Sequence, residues 1–293
     1  MNWLNVVVSG LVSGSLYALV AVGFNVLYRP TRIFNMAQGD LVMLGALLGA
    51  VALGTLGWSW PVTVVATLLA VGALALVEER VAIRPVLRRN SGATGWVIST
   101  LAFSMIVQNI MAPVFGPNPR KVEPPPGLSM VANDLGGVLV SSYQVAVVVC
   151  VAVFLFGIEH FYRTRTGRAI RAIAEDRDAA LLRGIDPARL TRWSFLMGGA
   201  VAAFAGLMAA PLLLASLSLG PALLLKGFAA AAAGGIGNNR GSLLAGLVIG
   251  LAEAFGGAVF SPGYQLAAVF GVLLVILLVR PQGILGKAGA RVV

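Results

Sequence analysis

Residues 193–215 read WSFLMGGAVAAFAGLMAAPLLLA and contain no charged side chain. A membrane-crossing helix needs about 20 mostly apolar residues. Because lipid offers the backbone no hydrogen-bond partners, an apolar run of this length predicts a helix. The chain has nine such runs, and the other eight are residues 4–28, 41–57, 60–77, 93–115, 142–158, 217–237, 241–260 and 265–279.

The composition of the whole chain agrees with this pattern. Of the 293 residues, 58% are hydrophobic and 11% are charged, whereas soluble chains carry about 25% charged residues. A mean hydropathy of +0.91 excludes a water-soluble enzyme, a disordered chain and a coiled coil. The length leaves room for about eight to nine spans. We therefore predict an all-α, polytopic integral membrane protein, with one transmembrane domain over residues 1–293.

Few side chains are available for intrinsic chemistry. Cys150 is the one cysteine and His160 the one histidine, so neither a disulfide framework nor a zinc site can form. No G-x-x-x-x-G-K-[ST] run occurs that could cradle a nucleotide phosphate. The sequence therefore predicts no enzyme activity, no metal and no cofactor, and energy must come from another polypeptide or from an ion gradient.

The basic residues predict an orientation in the membrane. The formal charge is +10, and in so apolar a chain this bias is topological and does not indicate nucleic-acid binding. If all nine runs cross and the N-terminus lies outside, most Lys and Arg fall in cytoplasmic loops. If residues 217–237 instead enter the membrane and return to the same side, Arg240 and the basic residues of the C-terminal tail lie outside. The positive-inside rule therefore favours nine crossings and a cytoplasmic C-terminus.

Residues 159–192 form the longest hydrophilic loop, which the same rule assigns to the cytoplasm. Helical spacing predicts a short amphipathic helix here, stopped by Gly184 and Pro187. Such a helix can lie among lipid headgroups, or it can fit a socket on a soluble cytoplasmic protein. Its predicted polar face carries Arg168, Arg171, Glu175 and Asp178, and its predicted apolar face carries Ile170, Ile173, Ala174 and Leu181.

Several short motifs carry a family resemblance. Residues 178–184, DAALLRG, match the acid-Ala-Ala-x-x-x-Gly core of the loop by which ABC-importer permeases contact their ATPases. Five more motifs follow one family's order: GSLYAL at 14–19, FNMAQGD at 34–40, GRAIRA at 167–172, GGIG at 234–237 and RPQG at 280–283. The chain resembles the permeases of branched-chain amino acid (LIV-type) ABC importers, and within them the smaller of the two permease subunits.

This resemblance implies a permease in the bacterial inner (plasma) membrane that imports branched-chain or related amino acids. It also implies a second, related permease subunit, two cytoplasmic ATPase subunits that bind the ATP, and a periplasmic substrate-binding protein. The residues it implies for ATPase coupling are Arg168, Arg171, Glu175, Asp178, Ala179, Ala180 and Gly184.

Two ionisable residues fall inside apolar runs. Glu253 lies within 241–260 and Lys226 within 217–237, and such groups cost about 2.5–3.5 kcal/mol each to insert. They can form a structural pair, Lys226 can reach the interface, or both can line the substrate path. A gradient-driven secondary transporter, with Glu253 as its coupling carboxylate, is the alternative function. If Glu253 is structural, Glu253→Gln should be mild because the neutral amide keeps the size of the side chain.

Uncharged polar residues supply further candidates for the path. Thr100, Ser104 and Gln108 recur every four residues on one face of the 93–115 helix, with Asn109 beside them. They can bond neighbouring helices or line the path of a zwitterionic substrate. Asn35 and Gln38, just before a helix beginning near Asp40, form a second candidate lining.

Overall fold

The computed structural model describes residues 2–89, 92–134 and 136–286. Within them the protein is helical, apart from one two-stranded antiparallel hairpin. In chain order the elements are α1 (Trp3–Thr31), α2 (Gln38–Gly54), α3 (Trp60–Glu78), a π-helical turn (Glu79–Ile83), α4 (Arg84–Arg89), α5 (Gly92–Phe115), β1 (Ala132–Asp134), β2 (Leu139–Ser141), α6 (Ser142–Phe161), α7 (Arg165–Glu175), α8 (Arg177–Leu182), α9 (Pro187–Leu213), α10 (Leu219–Gly234), α11 (Asn239–Val259) and α12 (Gln265–Val279).

Each predicted apolar run coincides with a helix. Seven helices in the described residues are long and apolar enough to cross a membrane, which agrees with a polytopic membrane protein. One of the seven, α12, reaches 18 residues only with the 3-10 turn Pro262–Tyr264 that precedes it. The helices α2 and α10 are shorter, at 17 and 16 residues. The count of eight to nine crossings therefore stays a prediction.

The chain divides into two compact units, each built from separate stretches of sequence. The first unit comprises Met1–Asn25, Pro126–Phe156 and Leu225–Val293, and the second comprises Val26–Pro125 and Gly157–Leu224. In the first unit α11 packs against α12 and the early turns of α1. A Cβ added to Gly14 would lie 2.8 Å from the Gly246 carbonyl oxygen, so small residues set this close approach.

The second unit is centred on α9, which packs against both α2 and α3. Most of α9 is buried, as expected of a helix that is apolar on every side. A side chain at Gly206 would collide with the Val42 carbonyl oxygen on α2. The helices α3 and α4 are joined by the π-helical turn, where the Ser99 hydroxyl of α5 donates a 2.6 Å hydrogen bond to the Ala82 carbonyl.

The loop between α6 and α9 contains two short helices instead of the predicted single one. The backbone at Asp176 is extended, and the Asp176 carboxylate accepts a 3.0 Å hydrogen bond from the Ala179 N–H, so it caps α8. Ile170 and Ile173 are buried as predicted, whereas Leu181 is half exposed. Leu181 was placed on the apolar face by a periodicity that does not continue through the break.

Candidate functional site

The two ionisable residues predicted inside apolar runs form an ion pair within the first unit. Lys226 Nζ donates to Glu253 Oε1 at 2.6 Å and to the Tyr17 hydroxyl at 3.1 Å. Lys226 lies midway along α10, and the two side chains are 20% and 10% exposed. We call Tyr17, Lys226 and Glu253 the ion-pair group. Its opposite charges compensate each other, as a buried pair requires.

The α5 stripe meets the chain before α2, within the second unit. Gln108 Nε2 donates to Asp40 Oδ1 at 2.8 Å and to Ser104 Oγ at 3.3 Å. Thr100 Oγ1 accepts a 3.3 Å hydrogen bond from the Met36 N–H. The spacing of Thr100, Ser104 and Gln108 thus correctly predicts that they share one face of α5. That face contacts the segment of Asn35 and Gln38, which is the second candidate lining.

Asn35 and Gln38 are both buried at the start of α2. The Asn35 Oδ1 accepts a 2.9 Å hydrogen bond from the Ala37 N–H and holds the turn that begins the helix. Asn109 differs from its predicted companions because it is exposed and donates to the Met105 carbonyl of its own helix, at 2.7 Å. One residue beyond Gln108, it points away from the shared face.

Glu78 belongs to this region but was missed by the sequence analysis. It is the last residue of α3, has no exposed surface, and lies beside the Asn35 amide and near Asp40. Neither Glu78 nor Asp40 forms an ion pair with a cation among the described residues. The predicted run ended at residue 77, so Glu78 was assigned to a loop. We call the following residues the acidic cluster: Asn35, Gln38, Asp40, Glu78, Thr100, Ser104 and Gln108.

The residues proposed for ATPase coupling lie on α7 and α8. Arg168, Glu175, Ala179 and Gly184 are exposed, whereas Ala180 is buried. The Asp178 side chain lies outside the described part of the structure. At the end of α8 the Leu182 side chain is 90% exposed, and Gly184 has a φ of +77° that glycine adopts without strain. We call the exposed residues of α7 and α8 the loop surface.

Tyr162, which follows α6 directly, lies beneath α7. The guanidinium carbon of Arg29 is 4.1 Å from the centre of its ring, and that of Arg171 is 5.6 Å away. Burial raises the pKa of the Tyr162 hydroxyl, and the positive charge of Arg29 opposes that shift only in part. Tyr162 therefore remains a neutral phenol. The sequence does not indicate this contact, because Arg29 at the end of an apolar run predicts only a topological charge.

Residues 6–278 match the family described as "Branched-chain amino acid transport system / permease component". The chain is 33% identical to the high-affinity branched-chain amino acid transport system permease protein BraD of Pseudomonas aeruginosa, over 98% of this chain and 96% of BraD. It is 32% identical to the permease protein LivH of Escherichia coli K12, over 95% and 94%. A probable LivH from Methanocaldococcus jannaschii is 26% identical, over 94% and 90%. No solved structure matches.

Proposed function

The chain belongs to the family of branched-chain amino acid transport permease components, and on that premise we propose that it is the permease subunit of an ATP-driven importer for branched-chain or related amino acids. It contributes to the translocation path across the inner (plasma) membrane. Separate ATPase subunits bind and hydrolyse the ATP, so this chain needs no cofactor and is not an enzyme.

The observation that carries the coupling part of this proposal is the loop surface. An amphipathic helix at a membrane surface turns its apolar side chains towards lipid, but Ile170 and Ile173 of α7 are buried within the protein. Among the described side chains, α7 exposes only charged ones (Arg165, Arg168, Arg171 and Glu175), whereas α8 exposes Ala179, Leu181 and Leu182. Apolar side chains surrounded by polar ones are typical of a protein-docking surface. The loop surface therefore fits a socket on a soluble ATPase.

The proposed assembly contains a second related permease subunit in the same membrane, two ATPase subunits in the cytoplasm and a substrate-binding protein in the periplasm. All nine apolar helices cross, including α2 and α10. The N-terminus lies outside, and the loop between α6 and α9 and the C-terminus lie in the cytoplasm. The positive-inside distribution of arginine supports this orientation.

Each unit supplies its own candidate for a polar lining of the path, the ion-pair group in the first unit and the acidic cluster in the second. A zwitterionic amino acid needs polar partners in an otherwise apolar bundle. The alternative of a gradient-driven carrier requires Glu253 to exchange protons, but Lys226 Nζ holds this carboxylate at 2.6 Å. The ion pair therefore supports the ATP-driven function over the gradient-driven one.

Leu182→Asp tests the proposal. The variant, its ATPases, the second permease and the binding protein are reconstituted in proteoliposomes, and leucine uptake and ATPase co-purification are measured. We expect Leu182→Asp to lose both, because a charge replaces an apolar side chain of the loop surface that is 90% exposed. The matched control is Leu139→Asp, an exposed leucine of β2 in the hairpin, which should keep both. Normal ATPase association in Leu182→Asp, or equal loss in both variants, contradicts the proposed role of the loop surface.

A further inference from the structure

The Tyr162 ring contacts two arginines from different parts of the second unit. Arg29 comes from the last turn of α1 and Arg171 from the middle of α7. Both guanidinium groups lie within the distance of about 6 Å at which a cation is attracted to the face of an aromatic ring. Tyr162 itself has no exposed surface. One buried ring therefore joins the end of α1 to α7.

Further contacts hold α7 at the same place. The Arg32 side chain, just after α1, donates a hydrogen bond to the Ala174 carbonyl in the last turn of α7. Arg171 also forms a 3.9 Å ion pair with Glu159 of α6. The end of α1 thus contacts α7 near its middle and near its end, and α6 contacts it as well.

The N-terminal end of α7 packs tightly against the residues that precede it. Thr164 caps the helix by accepting a 3.3 Å hydrogen bond from the Gly167 N–H. A side chain at Gly167 would collide with the Phe161 carbonyl oxygen and the Tyr162 backbone. The first turn of α7 therefore packs directly against Phe161 and Tyr162, so a shift of α7 towards these residues would displace Tyr162.

We propose that Tyr162 is a positioning residue that transmits movement of the loop surface to α1 through Arg29. This inference rests on the proposed function, in which the ATPases bind the loop surface. Arginine suits the role because its planar guanidinium stacks on aromatic faces and is weakly hydrated, so it tolerates burial better than lysine. The ring acts as a rigid spacer that both guanidinium groups contact, and what matters is its face and not its hydroxyl group.

A spacer role and a purely structural role predict different measurements. If Tyr162 only stabilises the fold, its loss lowers the amount of transporter, and each remaining transporter works normally. If Tyr162 transmits movement, the ATPases still bind and hydrolyse ATP but less substrate crosses per ATP. The deciding quantity is therefore the amount of leucine taken up per ATP hydrolysed in proteoliposomes containing the complete transporter.

Three tyrosine variants make the comparison. Tyr162→Leu removes the ring, and we expect ATPase co-purification to stay normal while uptake per ATP falls at least tenfold. Tyr162→Phe keeps the ring face and should stay within twofold of wild type. Tyr143→Leu is the matched control, because Tyr143 is also fully buried and lies at the opposite end of α6. It should lower stability but leave uptake per ATP unchanged.

The outcomes separate this inference from the proposed function. Wild-type uptake per ATP in Tyr162→Leu overturns the inference, as does a tenfold loss in Tyr162→Phe, which would assign the role to the hydroxyl. If Tyr162→Leu does not reach the membrane, Arg29→Lys replaces it, and a fall in uptake per ATP with normal ATPase association is expected; an unchanged ratio overturns the inference. Failure of the wild-type protein to bind ATPases or to show ATP-driven uptake would instead refute the proposed function.

Discussion

The ion-pair group and the acidic cluster are both buried, but their charges are balanced in different ways. In the ion-pair group the carboxylate of Glu253 is matched by the ammonium of Lys226, 2.6 Å away. In the acidic cluster Asp40 accepts its hydrogen bond from the Gln108 amide, and Glu78 lies beside the Asn35 amide. The same residue type should therefore respond to the same substitution in opposite directions in the two groups.

The largest effect is expected for Glu253→Gln, in contrast to the mild effect that the sequence alone predicts. The amide keeps the size of the side chain but leaves the Lys226 ammonium without a countercharge. Removing one partner of a buried ion pair costs about 3–5 kcal/mol. We expect the free energy of unfolding to fall by that amount, measured as a lower Tm of the purified protein in detergent.

The double variant Lys226→Met with Glu253→Gln is the control for this prediction. Replacing both partners of a buried pair with neutral groups of similar volume is often neutral, so the double variant should recover most of the lost stability. If it is as unstable as Glu253→Gln alone, the two side chains do not compensate each other and the contrast between the two groups is lost.

A smaller effect is expected in the acidic cluster for Gln108→Leu. This change removes the amide that donates to Asp40 Oδ1 at 2.8 Å, and leaving a buried acceptor without its donor costs about 1–3 kcal/mol. Thermal unfolding in detergent measures this loss directly. A Tm equal to that of the wild type would mean that Asp40 finds another donor.

Glu78→Gln should have little effect or a stabilising one of up to about 1 kcal/mol, because an amide is cheaper to bury than a carboxylate and Glu78 pairs with no cation in the described part of the chain. Its Tm should equal or exceed that of the wild type, the reverse of Glu253→Gln. A loss of about 3 kcal/mol would show that Glu78 has a charged partner and that the two groups are alike.

The smallest effect is expected for Asn109→Ala. This exposed side chain bonds only to its own helix, and exposed substitutions of this kind usually change stability by less than about 0.5 kcal/mol. It is the matched control for Gln108→Leu, because the two positions are adjacent in α5. If Asn109→Ala is as destabilising as Gln108→Leu, the shared face is wider than the structure indicates.

The sequence predicts the parts of this protein that depend on local pattern. Apolar runs located nine helices, and a four-residue period placed Thr100, Ser104 and Gln108 on one face. The structural pair of Lys226 with Glu253, one of the alternatives that the sequence leaves open, is present, but the sequence could not choose it over the others, because 27 residues and a change of helix separate the two side chains. Their proximity is decided by helix packing.

Three further features escape prediction, each for a different physical reason. Glu78 was missed because a run defined by hydropathy ends at the first charge, although the helix continues through a π-helical turn. The break at Asp176 escapes prediction because the apolar spacing of the sequence runs on from Ile173 to Leu181, although the helix itself ends and Asp176 caps the next one. The contacts of Tyr162 cannot be predicted from its neighbours in the sequence, because Arg29 is distant along the chain and Arg171 lies on the next helix.

The π-helical turn at Glu79–Ile83 has a consequence for how this chain aligns with its relatives. A π turn holds one residue more than an α turn. A single residue can therefore be inserted or deleted at this place while the helix continues, with no added loop. The Ser99 hydroxyl bonds to the Ala82 carbonyl within that turn. Relatives with a one-residue gap at 79–83 should then also lack a hydroxyl at the position of Ser99, and those that keep the residue should keep the hydroxyl.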